Sequence, residues 1–181
     1  MGELNILEEG LKKERLHEWY HFYSEDIYRF ILMMLGDDEQ AKDLTHDTFI
    51  KAYNSMDLFK GDVNDKNWLY FIARNITIDY MRKRKPILFM IDSFSAVISK
   101  NHIPDNIALL GEREEQLYCS LRKLKRSYRE LIILRKIKEL SIRETAEVLN
   151  WSEGKVKVTL HRALLALKNQ MEKEGFYYET I

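Results

Sequence analysis

Apolar residues recur every three to four positions along two long stretches of the chain, from Glu14 to about Lys85 and from about Arg113 to Glu172. This spacing puts them on one face of an α-helix, and the sequence lacks the alternation that is typical of half-buried strands. Only two prolines occur in 181 residues. The pattern predicts an all-α fold made of two small helical domains joined by a linker.

The segment between the two stretches lacks a helical stripe and is bracketed by Pro86 and Pro104. We therefore expect domains at 10–85 and 113–173, a linker at 86–112 and a C-terminal tail at 174–181. The linker contains an apolar run, ILFMI, which leaves two interpretations open. It lies in a groove of a partner, or it packs on the chain's own domains.

The stretch from Leu140 to Arg162 contains the start and stop signals of two short helices. Ser141 can cap the first helix, and Glu144 three residues later completes a capping box. Asn150 tolerates the left-handed conformation of a helix exit, and Ser152 can cap the second helix. The sequence therefore predicts a helix-turn-helix in the C-terminal domain.

The second helix of this pair carries cations on its outward side. Its apolar residues recur at helical spacing, which leaves Lys155, Lys157, Val158, His161 and Arg162 outward near its start. The N-terminal end of such a helix can enter the major groove of DNA, where cations meet phosphates or guanine. The alternative is an ordinary helical hairpin with solvated lysines.

Charge is segregated although the formal net charge is zero, with 29 basic and 29 acidic residues. Acids crowd Glu3–Glu14 and Asp37–Asp47, whereas Arg82–Lys85 and Arg122–Lys138 are basic. A chain that contacts both a polyanion and a basic protein surface has this distribution, as do some helical proteins without such partners. The single Cys119 and the lack of a signal peptide or an apolar membrane span lead us to expect a cytoplasmic protein.

The N-terminal domain has an acidic helix at Ala41–Tyr53. Asp43 and Asp47 lie four residues apart, with His46 between them. Paired acids and a histidine can form a metal or acid/base site, but no second cluster in the chain supplies further ligands. An acidic face that is solvated or binds a partner is the better interpretation, so no metal ligands are predicted.

A loop at Phe59–Asn67 precedes a predicted helix at Trp68–Lys85. One face of this helix is an apolar stripe, formed by Leu69, Ile72, Ala73, Ile76 and Tyr80. The other face combines aromatic, amide and guanidinium groups, namely Phe71, Arg74, Asn75, Ile78 and Arg82. Bases stack on rings while cations follow the backbone, so this face suits single-stranded nucleic acid. Alternatively, Phe71 and Ile78 belong to the core of a helical bundle.

Four segments in this order resemble the extracytoplasmic-function (ECF) group of bacterial RNA polymerase sigma factors, over about Trp19 to Lys168. They are AKDLTHDTFIKAY, the FKG loop, WLYFIARNITIDYMRKRK and RELIILRKIKELSIRETAEVLNWSEGKVKVTLHRAL. The resemblance implies a non-catalytic initiation subunit without a cofactor. Its implied partners are core RNA polymerase, promoter DNA as duplex and as melted single strand, and an anti-sigma factor, without direct membrane insertion.

The resemblance also implies three sets of contact residues. The set for docking on core polymerase is Asp43, Leu44, Asp47, Thr48 and Phe49. The set for reading and melting the minus-ten element is Lys60, Gly61, Asp62, Asn64, Lys66, Phe71, Arg74, Asn75, Ile78, Arg82, Lys83 and Arg84. The set for the minus-thirty-five element is Ser152, Glu153, Gly154, Lys155, Lys157, Val158, His161 and Arg162.

The chain departs from the family pattern at several positions. His46 stands where Gln is usual, and Val158, Thr159 and Leu164 stand where Ser and two arginines are common. The lost cations should weaken phosphate anchoring, while Val158 could contact a thymine methyl group. Two rival functions are a stand-alone helix-turn-helix regulator, which would bind a palindrome as a dimer, and an all-α enzyme that uses Asp43, His46 and Asp47.

Overall fold

The computed structural model describes residues 2–59, 61, 64–91 and 112–176 of the protein. Its α-helices are α1 (Gly2–Leu35), α2 (Asp38–Ser55), α3 (Asp65–Ile91), α4 (Glu112–Lys123), α5 (Arg126–Ile132), α6 (Ile142–Leu149) and α7 (Glu153–Lys173). A 3-10 turn (Met56–Leu58) follows α2, and a π-helical turn (Ile133–Ile137) follows α5. No strand occurs within the described ranges, and the expected all-α fold class is confirmed.

The first three helices form a bundle in the N-terminal half. In α1 the residues Ile27, Phe30, Ile31 and Met34 are buried, at the spacing that makes one continuous helical face. This face packs against α2 and α3. The predicted apolar stripe of α3 faces the same core, with Leu69 and Ala73 fully buried and Ile76 half-buried.

An aromatic cluster holds the start of α3 against α1. Trp19 contacts Phe59 and Trp68 at ring-centroid distances of 5.9 and 5.4 Å, and its indole nitrogen donates to Asp65 over 2.7 Å. The side-chain oxygen of Asn64 accepts from the amide of Lys66 at 2.8 Å and so caps α3. The loop between Phe59 and α3 is therefore anchored at both ends.

The C-terminal half contains the predicted helix-turn-helix. Both hydrogen bonds of the capping box between Ser141 and Glu144 are present, and they lower the pKa of the Glu144 carboxyl. Asn150 adopts the left-handed conformation, with φ of 54°. Ser152 accepts from the amide of Lys155 at 3.2 Å. Each of these end signals acts as the sequence predicts.

Two predicted boundaries differ from the structure because helix α3 is longer than expected at both ends. Its first turn includes Asp65 to Asn67, since Asn64 supplies the cap that starts it. At the other end α3 continues through Pro86 to Ile91, so the segment predicted as linker begins with helix. A proline inside a helix costs about 3 kcal/mol, but it does not forbid helix when good helix formers such as Leu88 follow. Residues 92–111 and 177–181 lie outside the described residues.

The two halves pack against each other and share one hydrophobic core. The core cluster that contains Trp19 and Phe30 also contains Leu131, Leu149 and Val156. A smaller cluster lies within the C-terminal half alone, formed by Leu121, Ile132, Ala163, Leu167 and Met171. Helix α3 contacts α6, the first helix of the helix-turn-helix. The promoter-reading surfaces predicted from the sequence therefore belong to one packed unit.

A buried arginine joins the two halves. The guanidinium of Arg129 in α5 donates to the carbonyl of Met34 in α1 at 2.8 Å, and to the carbonyls of Leu121 and Arg122 in α4 at 3.2 and 2.6 Å. Carbonyls near helix C-termini lack partners within their helices and carry partial negative charge. Arg129 donates hydrogen bonds to them, and their partial negative charge stabilises its positive charge.

Candidate nucleic-acid interface

The start of α7 carries a cationic surface that is open to solvent. All eight residues predicted to meet duplex DNA are exposed, namely Ser152, Glu153, Gly154, Lys155, Lys157, Val158, His161 and Arg162. Val156 is fully buried beneath them and anchors the helix to the core. A capped helix start with exposed cations has the geometry that major-groove recognition requires.

Two details of this surface were not predicted from the sequence. The ammonium of Lys155 lies 4.2 Å from the ring centroid of Trp151, a cation–π contact that holds the lysine beside the turn. The side chain of Val158 is 53% exposed, which makes it an isolated apolar group among cations. Of the two other unusual residues, Thr159 and Leu164 are both half-buried, so they contribute to packing as well as to the surface.

Some residues of the predicted minus-ten set are exposed to solvent, and others lie at contacts with other helices. Phe71, Arg82 and Lys83 are exposed, and Ile78 is half-buried. Arg82 pairs with Asp79, three residues before it on the same helix, at 2.9 Å. Gly61 has φ of 75° and open space around its Cα, while Asn64 is exposed. Lys60, Asp62 and the side chain of Arg84 lie outside the described residues.

Two side chains in the first half of α3 pair with carboxylates of other helices. Arg74 pairs with Glu130 of α5 at 3.0 Å, and its guanidinium also lies 3.5 Å from the amide oxygen of Asn75. Lys66 pairs with Asp26 of α1 at 3.2 Å. Lys66, Arg74 and Asn75 are all at least partly covered. In this conformation the structure does not bring them together with Phe71 as one open surface.

Asp26 connects α1, α3 and the segment after the π-helical turn. Besides Lys66 it contacts Lys138, whose amine lies 2.7 Å away and whose side chain is 7% exposed. Burial opposes the charge of Asp26, but hydrogen bonds from Lys138 and Lys66 outweigh it, and the pKa of this carboxyl is lowered overall. Burial also lowers the pKa of Lys138 despite the opposite charge.

The acidic face of α2 is exposed, but only part of the predicted docking set lies on it. Asp43, His46 and Asp47 point to solvent, and Tyr20 of α1 stacks on His46 at a ring-centroid distance of 6.3 Å. Leu44, Thr48 and Phe49 are buried in the bundle. These three positions face the core of the bundle, and docking of all five residues on core polymerase stays a prediction.

Ile50 extends the same face and was missed in the sequence. Its side chain is 58% exposed, three residues after Asp47, and Tyr20 is also partly exposed. The helical spacing from Asp43 could have identified Ile50, since positions i, i+4 and i+7 share a face. Among the described residues no group of three acids, histidines or cysteines is placed to hold a metal ion. The face is thus a mixed acidic and apolar surface.

Comparison with known proteins agrees with this division into two functional halves. The family model of sigma-70 region 2 matches residues 19–87, and that of sigma-70, region 4 matches residues 114–167. The two matches together define a sigma factor in which a region 2 half precedes a region 4 half. No helix within the described ranges has the length and apolarity that crossing a membrane requires.

Relatives narrow the class further. The chain is 38% identical over 158 residues to the ECF RNA polymerase sigma factor SigX of Bacillus subtilis, covering 84% of this chain and 81% of SigX. It is 34% identical over 160 residues to SigW of the same organism, covering 82% of this chain and 84% of SigW. The chain therefore belongs to the ECF sigma factors of the sigma-70 family.

A solved structure shares the fold over nearly the same span. It is the sigma factor RpoE in complex with the anti-sigma factor NepR from Bartonella quintana, with a TM-score of 0.71 and 23% identity. The match covers 88% of this chain and 98% of RpoE. At this level of identity the likeness shows the fold of the two halves.

Proposed function

We propose that this chain binds core RNA polymerase in the cytoplasm, directs it to promoters through two DNA-contacting surfaces, and has no catalytic chemistry of its own. The observation that carries the proposal is the capped start of α7, on which all eight residues of the predicted minus-thirty-five set are exposed. Membership of the sigma-70 family supports core RNA polymerase as the protein partner of the chain.

The α7 surface reads the upstream element as duplex DNA. Lys155, Lys157 and Arg162 neutralise phosphates or approach the acceptor edge of guanine, and the salt dependence of binding follows from that charge. Val158, exposed between them, supplies an apolar contact that fits a thymine methyl group. Relatives with serine at the position of Val158 lack this apolar group. We therefore expect this chain to differ from them in its preference for the base pair that Val158 contacts.

The α3 surface reads the downstream element as single strand. Phe71 offers a ring for stacking, Arg82 and Lys83 follow the backbone, and Asn75 supplies an amide for hydrogen bonds to a base taken out of the stack. Unstacking a base costs a few kcal/mol, so a shaped pocket selects sequence and opens the strands in one step. Lys66 and Arg74 belong to this surface once they are released from Asp26 and Glu130.

The exposed face of α2 docks on the polymerase. This mixed surface consists of Asp43, Asp47, Ile50 and the ring of Tyr20. Its acids meet a basic partner, and its apolar groups exclude water.

An anti-sigma factor is the proposed regulator, since the structurally similar RpoE was solved with one.

Transcription by core polymerase with and without the full-length protein, on a library of genomic fragments, tests the function. We expect promoter-dependent initiation only when the protein is present. If the polymerase gains none, and the protein alone binds a palindrome as a dimer, the stand-alone regulator is the correct function.

The docking face has a charge-matched test. We expect Asp43→Asn with Asp47→Asn to weaken binding to core polymerase about tenfold, because two interfacial charges are lost. The control removes two exposed acids on other helices, Glu9→Gln with Glu172→Gln, and should leave core binding unchanged. Equal losses in the two variants would count against a docking role for this face.

A further inference from the structure

The turn that joins α6 to α7 fixes the backbone of Trp151. The amide of Trp151 donates to the carbonyl of Ala146 at 2.9 Å, and the amide of Asn150 donates to the carbonyl of Glu147 at 3.2 Å. With Asn150 in the left-handed conformation, these two hydrogen bonds form a Schellman motif, which closes the C-terminal end of α6. The first helix of the helix-turn-helix therefore holds the backbone that carries the indole ring.

Packing fixes the indole ring itself. Trp151 is half-buried and packs against the core cluster that contains Val156. It stands directly before the cap residue Ser152, and Val156 is the fourth residue of α7. An apolar pair at these two positions is a hydrophobic staple, which sets the angle at which the chain enters a helix. The ring thus has a fixed place at the point where α7 begins.

The ring of Trp151 holds the ammonium of Lys155, which lies 4.2 Å from the ring centroid. Tryptophan attracts a cation more strongly than the other aromatic side chains, and the lysine keeps its full charge. An ammonium has three hydrogen-bond donors, so those directed away from the ring remain available to a ligand. Lys155 is exposed and already restrained before DNA arrives.

The outward side of α7 has a cation at each edge. Val156 and Ala163 are fully buried and define the inward side of the helix. With about 3.6 residues per turn, Lys155 and Lys157 then lie at opposite edges of the outward side, and Val158 lies between them. A helix in the major groove turns the middle of its outward side to base edges and its flanks to the phosphates of the two strands.

We propose that Trp151 is a positioning residue for the upstream element: its ring holds the ammonium of Lys155 for a phosphate of one strand, and this contact sets the register in which Val158 meets its base pair. Phosphate contacts carry no sequence information, but they fix the position of a helix in the groove. A lysine that is already held loses less conformational freedom on binding than a free one. This role rests on the proposed reading of duplex DNA by α7.

The positioning role separates two properties that depend on Lys155. Without the ring of Trp151, the charge of Lys155 still neutralises a phosphate, so the salt dependence of binding persists while the register loosens. Without the ammonium, both the salt dependence and the register change. A residue that only stabilised the fold would not produce this division.

The test measures duplex binding by the full chain. The duplex comes from a promoter on which the wild-type protein supports transcription, so failure of the proposed function appears as the absence of any such promoter. Single base-pair changes identify the base pair at which Val158→Ser alters the preference. If no base pair responds to Val158→Ser, both the contact of Val158 and the positioning role are wrong.

Trp151→Leu keeps an apolar side chain at this position but removes the ring. We expect this variant to lose about threefold of the preference at the Val158 base pair, with an unchanged slope of log affinity against log salt concentration. Lys155→Met should lose the same preference and about one unit of slope. The double variant should lose no more preference than Lys155→Met alone, whereas Trp151→Phe, which keeps a ring, should retain most of it.

The control Val148→Ala destabilises the same helix-turn-helix at a fully buried position of α6 and leaves the ring in place. It should keep the preference of the wild type. Full preference in folded Trp151→Leu, additive losses in the double variant, or an equal loss in Val148→Ala would each overturn the positioning role.

A second measurement needs no substitution at Trp151 and stays decisive if Trp151→Leu does not fold. Fluorine atoms on the indole ring weaken its attraction for a cation with little change of shape, because they withdraw electrons from the ring face. Chains made with tryptophans that carry one, two or three fluorines should lose the preference stepwise. The same chains with Lys155→Met should show no such trend. A preference that is independent of fluorination would rule out the role of the ring.

Discussion

Arg129 shows how one buried charge can organise two halves of a molecule. Its guanidinium remains protonated although burial lowers its pKa, because three carbonyl oxygens accept from it. Those oxygens come from the C-terminal ends of α1 and α4, where carbonyls lack partners within the helix, and the oxygen of Leu121 also accepts from the amide of Leu124 at 3.1 Å. Arg129 is thus a structural cation, distinct from the exposed cations that we propose contact DNA.

Replacing Arg129 should destabilise the protein strongly. We expect Arg129→Met to lower the free energy of unfolding by about 3 kcal/mol, since several charge-assisted hydrogen bonds are lost and carbonyls are left buried. The measurement is urea unfolding followed by circular dichroism. Arg29→Met, which removes an exposed arginine paired with Glu25, should change it by less than about 0.5 kcal/mol. Similar values for both variants would contradict the role given to Arg129.

Substitution of Asn75 should impair the opening of promoter DNA without affecting binding to core polymerase. Asn75→Ala removes the amide proposed for the flipped base, so we expect at least a tenfold loss of open complexes, detected by permanganate reactivity of unpaired thymines. Binding to core polymerase should be unaffected, as should all activities of the control Asn54→Ala on the exposed end of α2. Parallel loss of core binding and opening would contradict a base pocket at Asn75.

At the scale of elements, helix α7 is a core helix to which we also assign DNA reading, and its N-terminal cap connects the two roles. Ser152 satisfies the amide of Lys155, while Val156 one turn on is fully buried. The cap holds the first turn in the conformation that presents Lys155 and Lys157. Local helix stability and upstream recognition are therefore coupled through a single hydroxyl.

Substitutions of Ser152 should separate these two roles. Ser152→Ala should cost about 1 kcal/mol of stability, because a cap is lost. Ser152→Asp keeps the cap and should restore stability, yet its charge should repel phosphates and weaken binding to the minus-thirty-five duplex. Thermal unfolding and fluorescence anisotropy with duplex DNA measure the two effects. If Ser152→Asp bound DNA as well as wild type, Ser152 would lie away from the phosphates.

The salt dependence of duplex binding should report which lysines of α7 meet phosphates. We expect Lys157→Gln to reduce the slope of log affinity against log salt concentration by roughly one unit. Lys173→Gln, at the far end of the same helix, serves as the matched control and should leave the slope unchanged. A slope unchanged by Lys157→Gln would remove that residue from the DNA contact.

At the scale of the whole molecule, ion pairs lie above the core that the two halves share, and two of them, Lys138–Asp26 and Arg74–Glu130, join the halves. Asp26 forms ion pairs with Lys66 and Lys138, and Glu130 forms ion pairs with Arg74 and Arg126. The hydrophobic core beneath them is continuous across both halves. Changes in charge state at these two positions should therefore affect the stability of the molecule as a unit.

Acid should weaken the molecule in part through Asp26. The pKa of this carboxyl is lowered in the folded protein, so its contribution to stability is present above the unfolded value of 3.8 and is lost as pH falls through the folded value. We expect Asp26→Asn to be less stable than wild type at pH 7 and to lose less stability between pH 5 and pH 3. Urea unfolding at each pH measures this, and an unchanged pH dependence would contradict it.

Structural features that depend on residues close together in the chain could be predicted from the sequence. Ser141, Asn150 and Ser152 act on neighbours within a few residues, so periodicity and end signals were sufficient for the helix-turn-helix. The bonds from Arg129 to Met34 and from Asn67 to Glu147 join residues 95 and 80 positions apart, and no spacing rule reveals them. For the same reason the burial of Leu44, Thr48 and Phe49 was decided by how α1 and α3 pack.

The packing of the two halves requires glycine at position 36, and this requirement limits how the chain can evolve. Gly36 has φ of 74°, and a Cβ at this position would clash with Tyr118 and Arg122 of the other half. Within the N-terminal half alone, the clash disappears and only the modest backbone cost of a side chain at positive φ remains. A side chain at position 36 would therefore disturb the packing of the two halves as well as strain the backbone. The glycine at this position thus limits which substitutions at Tyr118 and Arg122 the chain can accept as it evolves.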